Sequence, residues 1–168
     1  AALSTDAVAA AVMGFDARAP HYTAPFETRE NHFLIAEQAG GAMHAMQMAA
    51  DYARTRFQFG RAIGSFQAVK HMCAEVFAEV EPVRSLMWYA AFAWDERQAD
   101  APAMAALLKS HATEVATEAV TTCVQVYGGM GFTWECDVHI WFKRAMFDRL
   151  WLGAPELHRE RFAALEGW

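Results

Sequence analysis

From about Glu30 onward, apolar residues recur at helical rather than strand spacing, and glycines and prolines punctuate that recurrence. Leu34, Gly41, Met48 and Tyr52 fall on related faces of a first helix running from about Glu30 to Arg56. Gly60 to Gly64 reads as a turn. Ser65 then offers an N-cap to a second helix that reaches about Gln98. Pro82 lies inside that helix, where it must kink the backbone or leave a carbonyl unpaired. Asp100 offers a cap to a third helix, with Pro102 tolerated in its first turn. Leu108, Val115 and Thr122 recur along that helix at heptad spacing until Gly128-Gly129 ends it. A fourth helix is expected from about Asp137 to Leu152, and Pro155 opens a last short one. No strand alternation follows residue 29, and helix breaks are expected near 57–64, 99–101 and 128–136. The pattern predicts an all-α, antiparallel four-helix bundle over 30–168. Residues 1–29, Ala-rich and broken at Ala19-Pro20 and Ala24-Pro25, read as a connector or the remnant of an upstream domain.

Composition narrows the function classes. Six Trp, 12 Phe and 9 Met are more than one bundle core can hide, so part of the helical surface is expected to meet another subunit. Met43, Met46, Phe92 and Trp94 are among the residues on those faces. A net charge of −6 without any Lys/Arg run argues against nucleic acid as a partner. No apolar run approaches the ~18 residues of a membrane span and no signal-peptide pattern opens the chain, so a cytoplasmic location is expected. Cys73, Cys123 and Cys136 are odd in number and lack CxxC spacing, which fits free thiols rather than disulfides or a metal site. His71 and His111 stand among apolar residues and read as core or interface groups. A di-metal helical bundle needs Glu-x-x-His on two helices. The chain contains none, and no Ser/His/Asp or Cys/His grouping stands out.

Two stretches carry more. Tyr52-Ala53-Arg54-Thr55-Arg56-Phe57-Gln58-Phe59-Gly60 runs on to Ile63-Gly64-Ser65-Phe66-Gln67-Ala68, and Gln125-Val126-Tyr127-Gly128-Gly129-Met130-Gly131-Phe132 follows Lys109 on the third helix. Each residue alone defaults to structure. An arginine ending a helix complements its dipole, and a double glycine simply terminates one. In this order, over most of residues 34–165, they resemble the C-terminal helical domain of the acyl-CoA dehydrogenases.

That resemblance implies α,β-dehydrogenation of an acyl-CoA thioester, with α-proton removal coupled to hydride transfer to FAD. It implies that Arg56, Phe59 and Gln67 reach a flavin held mainly by an adjacent subunit, with Gln125, Gly128 and Gly129 contributing from the second motif. Arg56 suits a diphosphate because a guanidinium offers a charge-assisted fork. In many members the base that takes the α-proton is a Glu just before a Gly near the chain end. Here Leu152 precedes Gly153, and a hydrocarbon accepts no proton. Ala154 and Glu156 stand where the family offers polar contacts to its own FAD, and Lys143-Arg144 replaces an Arg-Asp pair. A minority of the family carries the base on the first helix instead, and counting back from Arg56 that position falls at Glu30, with Asn31 where an Arg would follow.

The resemblance therefore implies a subunit or fragment of a heteromeric acyl-CoA dehydrogenase, paired with a second, fuller dehydrogenase-like subunit in a heterotetramer. The wording of Ala49–Arg56 and Ile63–Lys70 is most similar to actinobacterial members acting on steroid side-chain thioesters. The reading from a different class is a non-enzymatic helical partner that only stabilises a catalytic subunit.

Overall fold

The computed structural model describes residues 24–168, with side chains from Asn31 onward. Helix α1 spans Ala24–Thr55, α2 Gln67–Asp95, α3 Ala101–Tyr127, α4 Val138–Leu150 and α5 Pro155–Glu166. The four long helices form the expected all-α bundle, and α5 closes it. Among the described residues the helix breaks fall near 57–64, 99–101 and 128–136 as expected, although α1 begins at Ala24 rather than near Glu30.

The axis of the bundle is α3, which packs against α1, α2, α4 and α5. Small side chains make this possible. Ala42, Ala45, Ala49 and Ala53 recur on one stripe of α1 and are all buried, which lets the neighbouring backbones come close. One core cluster gathers Ile35, Val80, Val83, Leu108 and Ala116 between α1, α2 and α3. A second gathers Ala49, Val120, Val124, Val138 and Ala145 where α4 joins. Burying Ile35 and Leu108 completely contributes about 1.5–3 kcal/mol each. Gly41 is part of the same fit, because a Cβ there would stand 3.1 Å from the ring of Trp141.

Three expectations are corrected. Ser65 does not cap α2: it ends a short 3-10 turn, Ile63–Ser65, and Phe66 in extended geometry stands at the N-cap without a side-chain bond. Asp100 stands at the N-cap of α3 but has helical φ/ψ (−84°, −6°), so its carboxylate cannot turn back onto the first N–H groups. It accepts instead from the Tyr89 hydroxyl at 2.9 Å, tying α2 to α3. Of the two readings for His71, core or interface, the core one fails, since the residue is exposed on α2, while His111 is half-buried. Pro82 is accommodated inside an otherwise continuous α2. All three cysteines are free.

A further difference is a two-stranded ribbon. Phe57–Gln58 (β1) pairs antiparallel with Arg61–Ala62 (β2), Phe57 opposite Ala62 and Gln58 opposite Arg61. Both central residues have positive φ, 53° at Phe59 and 76° at Gly60, the geometry of a type I′ hairpin turn.

Candidate functional site

The last turns of α1 and α3 meet at one end of the bundle. Tyr52 and Tyr127 stack there, and the Tyr127 hydroxyl donates to the Met48 carbonyl at 3.1 Å. Burial lifts the Tyr127 phenol above its ordinary range, with neighbouring Cys136, Cys123, Tyr52 and Asp51 adding to it. The backbone then reverses tightly: the Arg56 N–H donates to the Tyr52 carbonyl and its own carbonyl accepts from Ile63, both at 2.8 Å. Gly64 allows this return to lie close to α1, since a Cβ there would sit 2.9 Å from the Ala53 carbonyl oxygen.

These elements enclose a groove of about 460 Å³ lined by Tyr52, Arg56, Gln58, Ile63, Val126, Tyr127, Gly129 and Met130. Arg56 is exposed and, among the described residues, takes part in no ion pair, whereas Arg54 beside it is bonded to Asp51 at 2.8 Å. The backbone at Gly128 and Gly129 faces open space, with no atom within 4 Å of where a Cβ would stand. A guanidinium without an ion-pair partner among the described residues, the uncovered backbone of Gly129 and stacked aromatic walls suit an anionic, planar-ringed ligand. That donor set fits FAD.

The other expected residues lie around this end without lining the groove. Phe59 sits at the hairpin tip, 91% exposed, with its ring edge-on to Phe66 at 6.1 Å. Gln67 opens α2, and Gln125 lies on the last turn of α3; both are exposed. Gly128, at φ 62°, ends α3 by donating its N–H to the Gln125 and Val124 carbonyls. Gln58 lines the groove although sequence reasoning passed over it; its place on β1 opposite Arg61 would have required knowledge of the ribbon.

The Leu152 turn is elsewhere. Residues 109 and 125 are both on α3, and at 1.5 Å per residue about 24 Å separates them. Lys109, completely buried, donates to the Asp148 carbonyl at 2.9 Å, which places the end of α4 beside the first half of α3. Leu152 follows, half-buried and in left-handed backbone geometry at φ 61°. The α1 helix runs past this region as well: Glu37 accepts from Arg144 at 2.7 Å, and the Thr113 hydroxyl donates to Gln38 at 3.0 Å. Glu30 lies about two turns upstream of Glu37 on α1, so its backbone belongs to this half of the bundle. Its side chain is outside the described residues. Burial pulls the Lys109 ammonium down to about 8, against the opposing pull of the Asp148 carboxylate. Asp148 is itself buried and its carboxyl is pushed up by desolvation, partly offset by Arg144, whose Nε lies 3.1 Å away. Glu156 is held by Arg149 at 3.1 Å.

A family model described as the C-terminal domain of acyl-CoA dehydrogenase matches residues 29–165, and the chain belongs to that family. It is 39% identical over 112 residues to the acyl-CoA dehydrogenase IpdE2 of Mycobacterium tuberculosis, covering 67% of this chain and 33% of that relative. The chain thus spans about a third of that relative's length. Among solved structures, the Tcur3481-Tcur3483 steroid acyl-CoA dehydrogenase variant is similar at 30% identity and TM-score 0.77, over 81% of this chain and 37% of the other. PigA, solved with FAD and proline, is similar at 26% identity and TM-score 0.79, over 84% of this chain and 37% of that one. Among the described residues, no helix is long and apolar enough to cross a membrane.

Proposed function

We propose that this chain serves a FAD-dependent acyl-CoA dehydrogenase, contributing contacts to a flavin across a subunit interface and lacking the base at the C-terminal position. The observation that carries this reading is the groove in which exposed, unpaired Arg56 faces uncovered Gly129. Arg56 holds the diphosphate, Phe59 lies against the nucleotide, and Gln67, Gln125, Gly128 and Gly129 supply polar and backbone contacts. The flavin, when bound, accepts the hydride. The chain's own part is to bind and orient it. Leu152 neither gives nor takes a proton, and the alternative base position that the resemblance offers is Glu30, whose backbone belongs to the same half of the bundle.

Similarity to IpdE2 and to the steroid dehydrogenase supports an acyl-CoA, and more narrowly a steroid-derived thioester, as substrate. The paired designation Tcur3481-Tcur3483 supports a second dehydrogenase-like subunit as partner. A cytoplasmic location goes with that chemistry. The second reading, a helical partner without catalytic contribution, draws on Leu152 and on Glu156, whose acid is engaged by Arg149 rather than replaced by a flavin donor.

Flavin retention tests the proposal. In the complex with its partner, Arg56→Ala should weaken FAD binding by about 1.5–3 kcal/mol, the worth of a charge-assisted hydrogen bond. Full flavin occupancy in Arg56→Ala would remove the cross-subunit role. Loss of turnover in Glu30→Gln with flavin still bound would make this chain catalytic.

A further inference from the structure

The end of α4 leaves its last carbonyls without helical partners, as every helix does. Here two buried side chains from two other helices supply donors around that exit. Lys109 of α3, 0% exposed, gives its ammonium to the Asp148 carbonyl at 2.9 Å. His158 of α5, 2% exposed, has Nε2 2.8 Å from the Leu152 carbonyl, an arrangement that puts the ring proton on that nitrogen. Between these contacts the chain passes through Trp151 at φ −68°, then Leu152 at φ 61° and Gly153 at φ 101°. Glycine adopts such geometry freely, but for a leucine it costs about 1–2 kcal/mol. A residue stays in that region only where its surroundings over-determine it. Gly153 is confined as well, since a Cβ there would stand 3.0 Å from both His158 Nε2 and Leu157 Cδ2.

An ammonium taken out of water is expensive unless it is engaged. Lys109 is engaged by the Thr113 hydroxyl at 3.3 Å and by the negative end of the α4 dipole, so its charge is spent on the helix end that opens the turn. We propose that Lys109 and His158 are positioning residues that jointly fix the Leu152 turn. They hold Leu152, at the position the resemblance assigns to the base, in a single backbone geometry. The turn is thereby an ordered surface rather than a mobile loop. This deepens the function proposed above, since it concerns the position that the resemblance assigns to the base.

Amide hydrogen exchange in the 168-residue chain tests it without flavin or substrate, so its failure is separate from a failure of flavin retention. The Trp151 and Gly153 N–H groups donate to the Phe147 and Leu150 carbonyls at 3.2 and 3.3 Å and report on the turn. Lys109→Met and His158→Leu should each speed exchange at both amides by about tenfold or more, while Ala112 and Ala116 in the core keep their rates. His158→Gln, whose amide N–H can replace Nε2, should restore the parent rates, a rescue that a purely space-filling role would not give. If Lys109→Met fails to fold, Lys109→Leu, which also lacks a donor, or His158→Leu alone provides the same reading. Unchanged exchange at Trp151 and Gly153, or equal acceleration throughout α3, overturns the proposal.

Discussion

Tyr52 and Tyr127 stack with ring centroids 4.2 Å apart and planes inclined by only 15°. The contact joins the last turn of α1 to the last turn of α3, so it fixes how the two family motifs face each other. The groove is therefore only as well defined as this pair and the Tyr127–Met48 bond beside it. Tyr127→Phe keeps the stack and removes the bond. The expected loss is about 0.5–1.5 kcal/mol, read from the shift in urea midpoint at unchanged m-value.

Gly64→Ala should be worse. The new methyl meets backbone rather than a flexible side chain, at 2.9 Å from the Ala53 carbonyl oxygen. A loss of about 1–3 kcal/mol is expected, with the hairpin displaced from α1. A thermal midpoint within a degree of the parent's would show that the close approach is relieved without cost.

Lys109 gives the chain a characteristic alkaline response. Its pKa is about 8 folded against an ordinary 10.5, so between those values the unfolded chain binds more protons. Stability from this group therefore rises with pH from about 8 towards 10.5, and the penalty of its buried charge is fully present below 8. Asp148, raised by desolvation, acts on the acid side: stability falls as pH climbs from 3.8 through its raised folded value. Above pH 9 the raised Cys123 thiol works against this, so denaturant titrations at stepped pH should show the rise between about 8 and 9 in the parent and its absence in Lys109→Met.

Cys123 is 1% exposed, and desolvation, aided by nearby Cys73, pushes its thiol up to about 12. The thiolate is the reactive form, so alkylation at pH 8 should spare Cys123 in the folded chain and reach it only on unfolding. Mass spectrometry of the alkylated protein reads this directly. Labelling of Cys123 at the rate of an exposed cysteine would contradict the burial.

Large apolar groups remain uncovered on several helices, including Trp88 (68%), Phe92 (53%) and Leu150 (72%). A stable interface covering them would bury about 1,000 Å² or more. Light scattering at micromolar concentration should give a mass above the chain's 18.7 kDa. A well-behaved monomer would count against that assembly.

Much of this was legible in the sequence, and the misses have physical reasons. Helical periodicity located α1 to α4 because buried positions such as Leu34, Leu108 and Val115 sit on their core faces. The motif around Arg56 and Gly129 pointed to two residues that do share a groove. Ser65 and Asp100 look like caps by residue type, but cap geometry depends on φ and ψ, which tertiary packing decided otherwise. The ribbon escaped notice because two-residue strands are too short to alternate. Nothing in the sequence marks Lys109 as fully buried or His158 as bonded to the Leu152 carbonyl. Both depend on where α4 ends relative to α3 and α5, a relationship between elements distant in the chain.

Phe59 is held by its hairpin in a shape already suited to be grasped, yet almost nothing in its own chain covers it. A planar-ringed ligand that stacks on the ring meets a fixed target, so little freedom is lost in binding it. Uncovered, the same ring is a conspicuous oily tip, and a ligand that covers it is expected to make the chain less prone to clump as well as better ordered at the hairpin.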